Sequence, residues 1–334
     1  MDSTIKDVAR LANVSIATVS RVLNNRSGYS EETRERVLQV IDQLGYQPNA
    51  IARGLINKRT QTVGVIFPYV SSMLSAEILN GIEETVHSFG STVIVCKTDG
   101  IEERTMDYLQ VLAEKRVDGV IFVSQFFEEQ YDKLLSDVNI PVVLVSSIYY
   151  RSNLPYVKVD DKHAAYTATD YLIGKGHKKI AMLSGPKVDP ITGVPRIEGF
   201  MEAMRFKGLP IDESLVFCAK KFSFEDGLLA AEQLLAGGPD ITAVFASSDE
   251  LAAALISTAY KLGIRVPEEL SVIGYDNIKL AGMTIPPLTT VSQPLFEMGA
   301  MAAKMLFSIL NSEGKVESRI MPHEVVERAS VRNL

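Results

Sequence analysis

The residues with the clearest chemical pattern lie near the start of the chain, in the stretch DVARLANVSIATVSRVLNN at 7–25. Two short apolar-periodic segments, 5–11 and 16–23, flank a tight turn at 12–14, which is the spacing of a helix-turn-helix motif. In that motif the N-terminal end of the second helix enters the DNA major groove. The residues there that can contact DNA are Ser15, Ile16, Ala17, Thr18, Ser20, Arg21 and Asn24.

Each of these side chains suits a particular kind of DNA contact. The forked donors of Arg21 match N7 and O6 of guanine, while Ile16 and Ala17 offer apolar contact to thymine methyl groups. The hydroxyl and amide side chains suit phosphate oxygens, which fix register rather than sequence. The alternative interpretation is a small helical domain with exposed polar residues.

A second candidate segment, AIARGLIN at 50–57, follows Pro48 and Asn49. Isolated helices shorter than about 12–15 residues are marginal in water, so this hinge is predicted to be helical only when it is held on DNA. Arg53 supplies positive charge. Leu55 is an apolar residue without a core of its own, and such a residue can wedge into the minor groove. The alternative is a plain linker with one exposed leucine.

The first sixty residues show helix signals and no strand signal. Thr4 and Asp7 predict a capping box for the first helix, and Ser15 and Ser30 predict N-caps for the second and third. Gly45 is the predicted end of the third helix. One small core is predicted from Val8, Leu11, Ala12, Val14, Val19, Leu23, Val37, Leu38, Ile41 and Leu44.

Composition and charge indicate an ordinary globular protein of two or three domains. The chain has 334 residues, of which 46% are hydrophobic and 22% are charged. No run of 18 apolar residues and no secretory signal are found, so a cytoplasmic protein is expected, with Cys96 and Cys218 as core thiols. Residues 1–60 carry a net charge of +3 and the remainder −10, which favours a polyanionic partner for the first part.

The sequence lacks the signatures of common enzyme classes. It contains no G-x-S-x-G, P-loop, G-x-G-x-x-G or C-x-x-C motif, and its four histidines show no metal-ligand spacing. We therefore expect no catalytic residue, no metal and no cofactor. His177 is expected to pack or cap before a strand. A transporter's solute-binding protein would share the fold of the body, but it would need export.

After about residue 62 the sequence alternates between short β-branched runs and amphipathic helices. The predicted strands are 63–67, 92–96, 119–123, 141–145, 179–183, 242–246 and 270–275. The predicted helices are 74–89, 102–115, 164–174, 196–207, 224–235 and 249–262. Near-continuous apolar strands that alternate with helices indicate parallel sheets covered on both faces. The chain contains more strand–helix units than one sheet would hold. We therefore predict two doubly wound α/β subdomains with a cleft between them.

Arg196, Phe222 and Asp276 are candidates for a ligand site in that cleft. Asp276 follows a predicted strand at its carboxyl end, where α/β sheets place ligand groups. Arginine and aspartate both make charge-assisted hydrogen bonds to hydroxyl groups, and an aromatic ring can stack on a sugar face. Pro68 and Ser72 follow the first strand and are expected to face the cleft. A surface arginine is the alternative for Arg196.

The motifs together resemble one family. Residues 4–59, with TIKDVARLANVSIATVSRVLN and YQPNAIARGL, resemble the head and hinge of the lactose-repressor (LacI/GalR) family. The resemblance continues through VIGYDN at 272–277 and PPLTTVSQP at 286–294. Ile16, Ala17 and Arg21, combined with ARGL in the hinge, look most like the catabolite-control and related sugar regulators of Gram-positive bacteria.

The resemblance implies a homodimeric transcription regulator, a repressor of carbohydrate genes, on a pseudo-palindromic operator. Leu55 from both chains would insert at a central CG step. Further DNA contacts are implied for Thr4, Asn49, Ala52 and Arg53. The effector would be a sugar or sugar phosphate bound by residues that include Arg196, Phe222 and Asp276.

The resemblance also exposes differences. Ser146 and Ser248 are further implied effector contacts, and they stand where lactose-type members have an aspartate and an asparagine. Asp249 matches a family aspartate or instead caps a helix. As an alternative regulator, a phosphorylated carrier protein could dock on the N-subdomain near Lys304. The implied divisions are a head, a hinge, an N-subdomain and a C-subdomain at 1–47, 48–61, 62–160 with 293–320, and 161–292 with 321–334.

Overall fold

The structure is a computed structural model, and it describes residues 3–23, 27–46, 59–236 and 240–334. The chain divides into two compact units, a head of Met1–Thr60 and a body of Gln61–Leu334. The predicted hinge helix lies outside the described residues. Within the described ranges no helix is long and apolar enough to span a bilayer.

The described part of the head consists of three helices, α1 (Ile5–Leu11), α2 (Ile16–Leu23) and α3 (Glu31–Leu44). They begin where their capping residues predict. Thr4 and Asp7 form the capping box of α1, and the Ser30 hydroxyl accepts the Thr33 amide at 3.2 Å. Asn13 lies between α1 and α2 with a φ of 51°, a left-handed conformation that Asn tolerates and that turns the chain sharply.

The head core differs from the predicted one at Leu11 and Leu38. These side chains are 57% and 40% exposed, so both predictions were wrong. A helix turns by about 100° per residue, which carries Leu11 and Leu38 off the faces that hold the buried residues. The buried core consists of Val8, Ala9, Ala12, Val19, Val22, Val37 and Val40.

The body contains two six-stranded sheets. In chain order the strands are β1 Thr62–Phe67, β2 Thr92–Lys97, β3 Gly119–Val123, β4 Val142–Val145, β5 Tyr156–Val159, β6 Ile180–Ser184, β7 Val216–Cys218, β8 Ala243–Ala246, β9 Ser271–Asp276, β10 Thr289–Ser292, β11 Arg319–Met321 and β12 Glu324–Val326. The helices are α4 Met73–Ser88, α5 Glu102–Glu114, α6 Glu129–Asp137, α7 Asp161–Gly174, α8 Gly193–Phe206, α9 Phe224–Ala236, α10 Asp249–Lys261, α11 Lys279–Met283 and α12 Leu295–Leu310.

The predicted doubly wound architecture is confirmed. The first sheet has the order β11-β5-β4-β3-β1-β2 and the second has β12-β10-β9-β8-β6-β7. All pairs are parallel except β10 with β12, which is antiparallel. Alternate residues of the strands face opposite layers: Ile180 and Met182 of β6 pack in one core, while Ala181 and Leu183 pack in another. Helices therefore cover both faces of each sheet.

The first sheet with α4, α5, α6 and α12 is called the N-subdomain, and the second sheet with α7–α11 the C-subdomain. The chain passes between them after β5, after β10 and after β11. The short elements β5, β7, α11 and β10–β12, and the nine-residue helix α6, were not predicted from the sequence. The strands and α11 have three to five residues each, too few for hydrophobic periodicity to show.

The structure tests the expectations for His177 and for the two cysteines. His177 is buried before β6, where Nδ1 lies 2.9 Å from the Thr242 hydroxyl and Nε2 lies 3.2 Å from the Arg332 carbonyl. The expected packing role of His177 is confirmed. Cys96 is buried, but Cys218 is exposed on the edge strand β7, so the expectation of two core thiols was wrong for Cys218.

Helices α4 and α12 approach closely enough to touch through their backbones. A Cβ atom at Gly81 would lie 1.9 Å from the Phe296 carbonyl oxygen, and one at Gly299 would lie 2.1 Å from the Ile78 carbonyl oxygen. Only glycine fits both positions without separating the helices. This contact fixes α12, which follows the second chain crossing, onto the N-subdomain.

We predict that Gly81→Ala lowers the free energy of unfolding by about 1–3 kcal/mol, because the new methyl group overpacks the contact. Its better helix propensity offsets only about 1 kcal/mol. Gly174→Ala is the matched control, because nothing lies within 4 Å of a Cβ atom there. Urea unfolding followed by circular dichroism measures both. A Gly81→Ala variant as stable as the parent would contradict the close contact.

Candidate functional site

Helix α2 has a buried side and an exposed side. Val19 and Val22 are buried in the head core, whereas Ile16, Ala17 and Arg21 are exposed. Ile16 keeps 45% of its surface accessible although it is aliphatic. Ala17 and Arg21 are four residues apart and therefore lie on the same face. The structure thus groups the predicted base-contacting residues on the side of α2 that faces away from the core.

The hydroxyl groups at the start of α2 are engaged locally. The Ser15 hydroxyl accepts the Thr18 amide at 3.1 Å, and it lies 2.9 Å from the Thr18 hydroxyl. Ser20 is half-buried and already makes an interaction. Thr4 is similarly engaged, because its hydroxyl donates to Asp7 at 2.7 Å. These residues define where the helices begin, and their phosphate contacts stay predictions.

The side chain of Arg21 lies close to Gly28. A Cβ atom at Gly28 would lie 3.3 Å from Nη1 of Arg21, so this glycine leaves room for the guanidinium group. Gly28 also has a φ of 109°, which other residues rarely adopt. The other predicted DNA-contacting residues lie outside the described part of the chain: Asn24, Asn49, Ala52, Arg53 and Leu55.

In the body, Arg196 is the centre of a buried polar cluster. It lies on α8 with 5% relative exposure. Its Nε and Nη2 donate to one carboxylate oxygen of Asp161 at 3.0 and 2.9 Å, and its Nη1 donates to the Ser247 carbonyl at 2.5 Å. The guanidinium carbon lies 3.8 Å from the centre of the Tyr275 ring, a close cation–π contact. Arg196 is therefore held from three sides, not free on the surface.

Phe222 lies on a further side of this guanidinium group, with its ring centre 5.8 Å from the Arg196 Cζ. The ring packs on Gly185, where a Cβ atom would lie only 2.2 Å from the ring. The structure therefore brings Phe222 and Arg196 together, although they are 26 positions apart in the sequence.

Asp276 and Asp249 form a buried acidic pair, of which Asp276 interacts with the charge of Arg196. Asp276 accepts the Gln293 amide at 2.7 Å, and Asp249 accepts the Ile278 amide at 2.9 Å and the Thr290 hydroxyl at 2.5 Å. Burial raises the pKa of Asp249 to about 7. Burial also raises the pKa of Asp276 well above its ordinary value, although the charge of Arg196 opposes the shift.

Four other predicted ligand residues lie in turns at the ends of strands. Pro68 follows β1, and Ser146 follows β4 with a left-handed φ of 47°. Ser72 caps α4 by accepting the Ser75 amide at 3.1 Å, and Ser248 caps α10 by accepting the Leu251 amide at 3.2 Å. Ser248, not Asp249, thus provides the side-chain cap of α10.

Asp161, Tyr275 and Gln293 were not predicted as part of this cluster. Asp161 lies two residues after the end of β5, and Tyr275 is the next-to-last residue of β9, so both lie near strand ends, where ligand groups are common. Within the described ranges no group of three or more potential metal ligands occurs. The cluster therefore offers hydrogen bonds, charge and an aromatic surface.

Two family models match the chain. "Bacterial regulatory proteins, lacI family" matches residues 4–49, which contain α1–α3. "Periplasmic binding proteins and sugar binding domain of LacI family" matches residues 60–329, which include both sheets of the body. The two matches correspond to the two compact units of the structure.

The curated relatives match over nearly their whole length. Catabolite control protein A of Priestia megaterium is 39% identical over 334 residues, covering 99% of this chain and 100% of the relative. The HTH-type transcriptional repressor PurR of Vibrio cholerae serotype O1 (strain M66-2) is 39% identical over 335 residues, covering 99% of each. This chain is thus equally similar in sequence to a catabolite control protein and to a PurR repressor.

Solved structures show the same architecture. A transcriptional regulator CelR–cellobiose complex is 31% identical with a TM-score of 0.76, and the match covers 98% of this chain and 99% of that one. The lac repressor dimer bound to operator and the anti-inducer ONPF has a TM-score of 0.89 at 24% identity, covering 99% and 100%. This chain belongs to the LacI family of DNA-binding transcriptional regulators, whose helix-turn-helix head is joined to a body of the sugar-binding type.

Proposed function

We propose that this protein is a homodimeric repressor of carbohydrate genes that binds a pseudo-palindromic operator and responds to an uncharged sugar. The observation that carries the DNA-binding half is the exposed side of α2, where Ile16, Ala17 and Arg21 lie together. A regulator of operator DNA acts where the DNA is, so its compartment would be the cytoplasm. The family's non-enzymatic role fits the absence of catalytic motifs from the sequence.

In this proposal the N-terminal end of α2 reads the major groove. Arg21 would donate two hydrogen bonds to one guanine, while Ile16 and Ala17 would contact thymine methyl groups. Thr4, Ser15, Thr18, Ser20 and Asn24 would contact the phosphate backbone. The hinge residues Asn49, Ala52, Arg53 and Leu55 would contact the minor groove, with Leu55 from both chains at a central CG step.

The charge arrangement in the body favours an uncharged ligand. Arg196 and Lys158 share the carboxylate of Asp161, with Lys158 Nζ 3.3 Å from the second oxygen. Three of the five N–H donors of Arg196 are occupied by Asp161 and the Ser247 carbonyl. Few donors of these two cations are therefore left to bind the oxygens of a phosphate. The two remaining donors of Arg196 can still bind hydroxyl groups.

The acidic pair supports the same ligand class. A phosphate beside Arg196 would come close to the carboxyl group of Asp276, and like charges in a buried site repel strongly. A hydroxyl group can donate to an ionised carboxylate and accept from a protonated one, so a sugar suits either form of Asp276. The Phe222 ring would stack on the apolar face of that sugar, and Pro68, Ser72, Ser146 and Ser248 would complete the site.

A homodimer follows from operator symmetry, because two identical heads match two half-sites. The solved lac repressor structure is described as a dimer on operator. The C-subdomain exposes Tyr260, Met283 and Ile285 at 84%, 66% and 90%, as expected for a surface that a second copy would cover. Lys304 is exposed on α12, and the phosphorylated carrier protein stays a prediction.

The experiment that tests the effector half is a thermal-shift screen with matched neutral and phosphorylated sugars, such as ribose, cellobiose, glucose and glucose 6-phosphate. A bound ligand raises the melting temperature by mass action. We expect at least one uncharged sugar to do so and to change operator affinity in fluorescence anisotropy. A response to the phosphorylated sugars alone would contradict the neutral-ligand assignment.

For the DNA half, we predict that Arg21→Ala weakens operator binding by about 1–3 kcal/mol, because one bidentate guanine contact per half-site is lost. Arg36→Ala is the control, since it removes the same charge from an exposed position on α3. Anisotropy titrations on operator and on scrambled duplex separate the two effects. Equal losses on both duplexes for Arg21→Ala would contradict base readout by this residue.

For the body, we predict that Asp161→Asn lowers the free energy of unfolding by about 3–5 kcal/mol, because Arg196 is left buried without its counter-charge. Adding Arg196→Met removes that charge and is expected to recover part of the stability, without recovering the sugar response. The control is Lys162→Ala, which breaks the exposed ion pair between Glu202 and the residue that follows Asp161. Additive stability losses in the double variant would refute the coupling.

A further inference from the structure

Besides the Lys158–Asp161 ion pair at the first chain crossing, two further contacts join the N-subdomain to the C-subdomain near the Arg196 cluster. The ammonium group of Lys221 lies 5.3 Å from the centre of the Tyr69 ring, a cation–π contact. The ammonium group of Lys279 lies 3.1 Å from a carboxylate oxygen of Glu77. In both contacts the lysine belongs to the C-subdomain and its partner to the N-subdomain.

The first contact links two loops that carry predicted ligand residues. Tyr69 lies between Pro68 and Ser72 in the loop that joins β1 to α4, and Lys221 is the neighbour of Phe222. The Tyr69 hydroxyl makes a long hydrogen bond, 3.5 Å, to the Asp99 carbonyl on its own side. Because Lys221 and Tyr69 lie on opposite loops, separation of the two loops would break the cation–π contact.

The second contact lies beside the buried acidic pair. Glu77 is on the first turns of α4, and Lys279 begins α11, three residues after Asp276. Both residues line a cavity of about 440 Å³ that also touches Gln293, the amide partner of Asp276. The contact therefore lies where a displacement between the subdomains would alter the surroundings of Asp276.

We propose that Lys221 and Lys279 are positioning residues that hold the two subdomains together across the cleft, as a pair of reversible catches. Both side chains reach their partners through flexible stems and a single ammonium group, so either contact can open without rearranging a core. The rest of the connection between the subdomains consists of the Lys158–Asp161 ion pair, a buried apolar core with residues from both sheets, and the three chain crossings. The crossings can act as a hinge. Any consequence of these contacts for sugar binding rests on the proposed function, whereas the contacts themselves do not depend on it.

The two catches differ in how they should respond to salt. The side chains of Lys279 and Glu77 are 73% and 28% exposed, so dissolved salt screens the attraction between their charges. The Lys221–Tyr69 contact depends on a neutral ring, which cannot be neutralised by a counter-ion. Raising the salt concentration is therefore expected to weaken the second catch more than the first.

The test is a distance measurement on the full-length protein without DNA or sugar. Spin labels on Cys residues introduced at Glu103 of α5 and Glu232 of α9, both exposed, report the separation of the subdomains. Cys218 is replaced by Ser because it is exposed, whereas Cys96 is buried. We expect Lys221→Met with Lys279→Met to broaden the distance distribution and shift it to longer distances.

Conservative variants provide the controls. Tyr69→Phe keeps the ring, and Lys221→Arg with Lys279→Arg keeps both cations, so each is expected to preserve the parent distribution. Circular dichroism verifies that all variants fold and melt like the parent. A parent-like distribution in the double Met variant, or an equal shift in the double Arg variant, would overturn the proposal. Since no ligand is added, failure of the sugar assignment leaves this result unaffected.

Discussion

The buried ion pair between Arg196 and Asp161 is the constraint on which the ligand site depends. A buried guanidinium group is tolerated only with a counter-charge and satisfied hydrogen bonds. Here the counter-charge comes from the first residue of α7, immediately after the chain enters the C-subdomain, and Lys158 of β5 binds it from the other subdomain. The same interaction therefore anchors the crossing and positions Arg196 between Tyr275 and Phe222.

In the head, one short helix has two roles. Helix α2 must contribute apolar residues to a small core and still present a face to DNA. Burial of Val19 and Val22 fixes its rotation, and this rotation leaves Ile16, Ala17 and Arg21 outside. The recognition surface is thus a consequence of core packing.

In the body, several cations are paired with carboxylates of the fold. Arg196 and Lys158 are both paired to Asp161, while Lys279 is paired to Glu77 on the other subdomain. These paired cations position neighbouring groups and hold the subdomains together. The buried polar cluster and the ion pairs between the subdomains thus both depend on how lysines and arginines are paired within the fold.

The sequence by itself determined the helix-turn-helix head and the doubly wound body, because capping residues and hydrophobic periodicity are local signals. Arg196, Phe222 and Asp276 became candidates chiefly through the resemblance to the LacI/GalR family. It could not assign Leu11 or Leu38 to the exposed side, since their helices bury a narrower face than their apolar content suggests. The partners of Arg196 were decided only by the tertiary structure. Asp161, Ser247 and Tyr275 come from α7, the β8–α10 turn and β9, and no local pattern encodes contacts made between segments so far apart in the chain.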